Sequence, residues 1–119
     1  MHELGIAVNI LDIVRQSVPE GQTSAVGNIR LRIGPFAGIV PASLKFCFAA
    51  IADDAGMDKA SLQIEQTLLA ASCRDCGNSS EVKNFTFRCS ECDGDDLEII
   101  SGKELEVVEI EIYSRPDIS

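Results

Sequence analysis

Cys73-Arg74-Asp75-Cys76 and Cys89-Ser90-Glu91-Cys92 are two C-x2-C pairs with twelve residues between them. Two residues between cysteines allow a tight turn that points both sulfurs at one ion, and two such turns facing each other complete a tetrahedron with zinc–sulfur bonds of about 2.3 Å. Gly77 and Asp93-Gly94 follow the pairs, where a left-handed backbone is expected; Gly adopts it freely and Asp tolerates it better than most residues. Val82 to Phe87, between the pairs, reads as a strand. The segment is expected to form a zinc ribbon with Cys73, Cys76, Cys89 and Cys92 as ligands. Its main apolar residues, Val82, Phe85 and Phe87, cannot bury enough surface to fold alone, whereas zinc binding contributes roughly 10 kcal/mol or more. Four thiolates leave the cluster negatively charged, which Arg74, Lys83, Arg88 and backbone N–H groups can offset. They leave no position open for water, so the zinc is structural rather than catalytic. A rubredoxin-type iron site and two disulfides are the competing readings.

Outward from the cysteines, the rest of the chain carries an ordinary core. From Leu4, the residues Ala7, Leu11, Val14 and Val18 recur at three and four positions, with Ile6, Ile10 and Ile13 widening the stripe, which predicts an amphipathic helix ended by Pro19 and Gly21. Ile29-Arg30-Leu31-Arg32-Ile33 alternates with period two and predicts a strand. Pro41 begins a second helical pattern through Leu44, Cys47, Phe48 and Ile51, closing near Gly56. Asp53 and Asp54 oppose the macrodipole there, and Cys47 reads as a small core residue. Leu62 to Glu65 predicts another strand. Leu97–Ile100 and Leu105–Ile112, separated by Ser101-Gly102-Lys103, predict a hairpin whose last strand changes phase at Val107-Val108. Glu104, Glu106, Glu109 and Glu111 are expected to face mostly water. The expected fold is α+β: a small mixed sheet of about three strands packed with two helices, plus the zinc ribbon. Residues 1–70 and 95–119 would form one discontinuous domain and residues 71–94 the other.

A chain of 119 residues with 45% hydrophobic content supports one such core with a metal-stapled appendage. The formal net charge of -9 disfavours nucleic acid as a partner, since phosphate binding depends on clustered Lys and Arg. The first twenty residues lack a basic n-region and are interrupted by Glu3, Asn9, Asp12 and Arg15, so neither a signal peptide nor a membrane span is expected there, and a cytoplasmic location is. Reducing conditions there favour metal ligation over disulfides. No catalytic Ser-His-Asp set or Gly-rich phosphate loop supports an enzyme, although C-x2-C also occurs in dithiol catalysts.

His2 is the only histidine. An α-amino group, an imidazole and the first amides of a helix, which have no intrahelical acceptor, lie within one short chelate, and such all-nitrogen donation suits Ni2+ or Cu2+ better than zinc. Met1-His2-Glu3-Leu4, the long N-terminal helix, Val40-Pro41 before a second helix, the C-x2-C pairs and Gly102-Lys103-Glu104-Leu105 together resemble the HypA/HybF nickel-incorporation family along the full chain. Asp93 stands where many members have Gly. The resemblance implies nickel determinants on Met1, His2 and Glu3, zinc ligands on the four cysteines, and delivery rather than catalysis. It implies as partners a GTP-hydrolysing nickel chaperone and the precursor of the nickel-iron hydrogenase large subunit, with urease maturation served in some organisms, and it admits a homodimer. The alternative reading is a protein-binding zinc-ribbon adaptor without nickel delivery, docking through its acidic strand.

Overall fold

In the computed structural model, which describes residues 3–113, the first apolar stripe forms helix α1 (Glu3–Ser17). Ile6, Ala7, Ile10, Leu11 and Val14 are its buried residues, at the spacing that lines up one helical face. Strand β1 (Val26–Ile33) buries Ile29, Leu31 and Ile33 while Arg30 and Arg32 are only partly covered. Helix α2 (Pro41–Asp54) starts with Pro in its first turn and buries Leu44, Phe48 and Ala52, one stripe at four-residue spacing that packs with α1. Cys47 is half-buried beside it. At the end of α2 the Gly56 N–H donates to the Asp53 carbonyl and the Met57 N–H to the Ala52 carbonyl. This paired closure satisfies the last carbonyls and turns Met57 into the core.

Strands β2 (Ser61–Gln66), β3 (Ala70–Cys73), β4 (Ser79–Glu81), β5 (Leu97–Ser101) and β6 (Leu105–Ile112) complete the chain. They form two three-stranded sheets in the orders β2-β1-β6 and β4-β3-β5. Two helices, two small sheets and a four-cysteine ribbon module make the expected α+β class. The described residues divide into two compact units: residues 3–31 with Ile39–Glu65 and residues 106–113, and Arg32–Gly38 with Gln66–Leu105. The second unit takes in more chain than residues 71–94 because β3 pairs antiparallel with both neighbours. Ala71 faces Ser80 on β4 and Ile99 on β5, and Leu69, Ala71 and Val82 form a small core with Leu97 and Ile99 against it.

Three local expectations fail. β5 and β6 are not a hairpin; they lie in different sheets. The segment joining them is occupied by residues 34–36: the Gly34 N–H donates to the Glu104 carbonyl at 2.8 Å and the Phe36 N–H to the Gly102 carbonyl at 2.7 Å. A Cβ on Gly34 would fall on the Gly102 carbonyl group, so this approach requires glycine. Glu104 is also only half-exposed, its carboxylate engaged by neighbouring groups rather than left mostly to water. Its Oε1 accepts the Thr67 hydroxyl at 2.6 Å and the Gly102 N–H at 2.8 Å. The Thr67 hydroxyl, then the backbone N–H groups of Glu104 and Gly102 and the charge of Arg32, hold its carboxyl below the usual range against the opposing effect of desolvation. Glu106, Glu109 and Glu111 are exposed, as expected.

The third failure is the strand over residues 82–87. The short strand is β4, and the chain then turns, with the Thr86 N–H donating to the Lys83 carbonyl at 3.0 Å. Asn84 and Phe85 have φ of 55° and 54°, a turn with both central residues left-handed. For a non-glycine residue that conformation costs roughly 1–2 kcal/mol. It carries Phe85 into a cluster with Phe36 and Phe87, with ring centroids 5.8 to 6.4 Å apart.

Candidate metal centre

The two C-x2-C turns use the same hydrogen bonds. In the first, the Cys73 N–H donates to the Asn78 carbonyl and the Gly77 N–H to the Cys73 carbonyl, both at 2.8 Å. In the second, the Cys89 N–H donates to the Gly94 carbonyl at 2.8 Å and the Asp93 N–H to the Cys89 carbonyl at 3.0 Å. Both residues that follow the pairs take the left-handed backbone the spacing predicts, Gly77 at φ 77° and Asp93 at 61°. The Arg88 guanidinium braces the second turn, donating to the Asp93 carbonyl at 3.1 Å.

Facing each other, these turns bring the sulfurs of Cys73, Cys76, Cys89 and Cys92 within 4.8 Å of one another, the group among the described residues able to hold a metal ion. Cys73 and Cys92 are 3.6 Å apart and Cys76 and Cys89 3.5 Å. A tetrahedron with zinc–sulfur bonds of about 2.3 Å has sulfur–sulfur edges of about 3.8 Å, so the cage fits a tetrahedral ion with little adjustment. Cys73 and Cys89 are buried, Cys76 and Cys92 exposed.

Electrostatics favour a cation at the centre. The backbone N–H groups of Cys92 and Glu91, the latter 3.4 Å from the sulfur, bring the Cys89 thiol down to about 6 against the effect of desolvation. The Gly94 N–H acts on Cys92 in the same direction but is outweighed by the Cys73 sulfur, desolvation and the Cys89 and Cys76 sulfurs, which push it up to about 12. The first thiolate forms readily and the last resists, because negative sulfurs at this separation repel unless a cation sits among them. Arg74 does not serve the sulfurs directly: it pairs with Asp96 at 2.8 Å and reaches Glu98 at 4.0 Å, tying the first turn to the start of β5.

A family model described as hydrogenase/urease nickel incorporation, metallochaperone, HypA matches residues 1–112. The chain belongs to the HypA family. The hydrogenase maturation factor HypA of Desulfatibacillum aliphaticivorans is 38% identical over 113 residues, covering 94% of this chain and 87% of that protein. The corresponding factor of Desulfosudis oleivorans is 35% identical, covering 94% of this chain and 98% of that protein. Among solved structures, the nickel metallochaperone HypA from Helicobacter pylori aligns with a TM-score of 0.66 over 97% of this chain and 100% of that one. A second HypA protein aligns at 0.71 over 97% and 98%. Both are 16% identical to this chain and speak to the fold alone.

Of the residues on which family resemblance places nickel, Met1 and His2 lie outside the described residues. Glu3 opens α1, and its Oε2 accepts the backbone N–H of Val40, the residue before α2, at 3.1 Å. Sequence reasoning missed Glu104 and the Phe36–Phe85–Phe87 cluster. The segment Gly102-Lys103-Glu104-Leu105 was available as a signal for the first; nothing local marked the second.

Proposed function

We propose that this chain is a nickel metallochaperone of the cytoplasm, carrying Ni2+ on donors from Met1, His2 and Glu3 and a structural zinc ion on Cys73, Cys76, Cys89 and Cys92. The observation that carries the reading is the family match to residues 1–112, which includes both sets of donors. Four thiolates form a closed, soft set suited to permanent zinc. Amine, imidazole and amide nitrogens at the chain's start suit nickel and exchange it more readily. The proposed recipient is the precursor of the nickel-iron hydrogenase large subunit, with a GTP-hydrolysing nickel chaperone as working partner and urease maturation as a second destination. The residues' role is to hold and release the ion. Nickel binding requires the amine and imidazole unprotonated, so affinity falls as pH drops below about 7–8. Isothermal titration of protein with an unmodified amino terminus should show nickel binding that His2→Ala weakens by about tenfold or more, with the zinc content unchanged. Equal affinity in the two proteins would instead favour the adaptor reading.

A further inference from the structure

The second unit presents an aromatic surface that the metal chemistry does not use. Phe36, from the short 3-10 turn Pro35–Ala37, stacks on Phe85 with centroids 5.9 Å apart, and Phe87 packs against both. The rings remain open to solvent, Phe85 by 57%, Phe36 by 40% and Phe87 by 36%. If burial drove the loop, Phe85 would turn inward; instead its backbone is held left-handed and its ring stays outside. Strain kept to present an exposed apolar group is a mark of a working surface.

Charge around the rings points to the chemistry of the partner. The segment Lys83-Asn84-Phe85-Thr86-Phe87-Arg88 contains two cations and no carboxylate, in a chain of net charge -9. Arg74 and Arg88 are committed to Asp96, Glu98 and Asp93. Lys83 has no ion-pair partner among the described residues, and neither has Lys103, which follows the Gly102 carbonyl that accepts the Phe36 N–H. Lys83 opens the turn that carries Phe85, and Lys103 stands directly after the residue that binds the Phe36 backbone, so an uncommitted cation adjoins in sequence each segment that brings the rings together.

We propose that Phe36, Phe85 and Phe87, with Lys83 and Lys103, form a docking surface for a short protein segment that carries an apolar anchor next to Asp or Glu. Exposed aromatic rings supply the anchor site, and the lysines select its flanks. A single-stranded nucleic acid would also stack on the rings. It would bring many phosphates toward an acidic chain, whereas a segment with one or two carboxylates needs only the local cations. This surface lies apart in sequence from the proposed nickel donors, and its test does not depend on them.

The experiment is selection of random displayed peptides on the full, metal-loaded chain, counter-selected on a Phe85→Ser, Phe87→Ser protein that retains its metal. Enriched sequences should share an aliphatic or aromatic residue adjoining an acidic one. A synthetic peptide of that sequence should bind about tenfold more weakly to Phe85→Ser and to Lys83→Glu. Phe85→Gly separates docking from folding: glycine relieves the left-handed backbone, so the metal site should stay as stable or become more so while peptide binding is lost. The proposal is overturned if no peptide is enriched, if the enriched peptides are basic or bind the Phe85 and Lys83 variants equally well, or if labelled oligothymidine binds the surface and acidic peptides do not.

Discussion

Stripping the metal with a strong chelator in the presence of a thiol reductant should unfold the second unit and leave the first one folded. Apart from its cysteines, the second unit's small core consists of Leu69, Ala71 and Val82, with Leu97 and Ile99 only partly covered. At about 1.5–3 kcal/mol for a fully buried large side chain, Leu69 and Val82 together contribute about 3–6 kcal/mol. A zinc–thiolate site contributes about 10–16 kcal/mol. The metal is therefore the larger share, and without it the crowded sulfurs become a liability as they ionise. The first unit has its own fully buried set, including Val14, Val26, Ile29, Leu31, Leu44, Phe48 and Met57, and needs no ion. Hydrogen exchange read by mass spectrometry, with and without chelator, separates the two. The amides of Cys73, Gly77, Cys89 and Asp93, whose hydrogen bonds build the two turns, should exchange rapidly after metal removal, while segments from α1 and α2 keep their protection. If fully metal-free, reduced protein protected those four amides as well as the loaded form does, the reasoning that the metal stands in for a core would be refuted.

Further expectations concern both units. Because its folded-state pKa is depressed, ionised Glu104 stabilises the protein above the ordinary glutamate range, and that contribution disappears as pH falls through the folded value. Glu104→Gln should thus lower amide protection at Gly102 and Phe36 near neutrality but not in acid, and an NMR titration placing the Glu104 carboxyl at or above the ordinary range would contradict this. Gly34→Ala should destabilise the second unit by about 2–6 kcal/mol, from overpacking on the Gly102 carbonyl and loss of two hydrogen bonds, measured as an earlier denaturant midpoint for β5. Phe48→Ala, at a side chain with 1% exposure, should cost the first unit about 3–5 kcal/mol in chemical denaturation, with metal content unchanged.

What could be read from the sequence followed periodicity and ligand spacing. Both helices and β1 were legible because Leu44, Cys47, Phe48 and Ile51, and Ile29, Leu31 and Ile33, recur at the helical and strand periods. The cysteine cage was legible because its two turns are local, each closed by bonds within six residues. The misread hairpin at Ser101-Gly102-Lys103 depends on a non-local event: residues 34–36, far away in the chain, bind the Gly102 and Glu104 carbonyls. No pattern within residues 97–112 reports that competition. The aromatic cluster is hidden for the same reason, since Phe36 and Phe85 meet only once both segments are placed.

The misread strand at Val82–Phe87 has a different cause. By local preference the segment is extended, with the β-branched Val82 and Thr86 beside the aromatic Phe85 and Phe87. Asn84, Phe85 and Asp93 are the non-glycine residues with positive φ among the described residues, and all three lie between Asn84 and the end of the second cysteine turn. At roughly 1–2 kcal/mol for Phe85 and less for Asn84 and Asp93, whose short polar side chains tolerate this backbone, their combined strain takes up a substantial part of the about 3–6 kcal/mol that Leu69 and Val82 supply. It is less than the roughly 10–16 kcal/mol available from a bound metal. The two turns share one hydrogen-bond scheme although one carries Gly77 and the other Asp93 at the left-handed position. The shared scheme follows from pointing four sulfurs at one centre, with residue preference secondary. The ligand therefore determines not only whether the ribbon folds but how much unfavourable backbone it can hold, and the loop that displays Phe85 draws on that reserve.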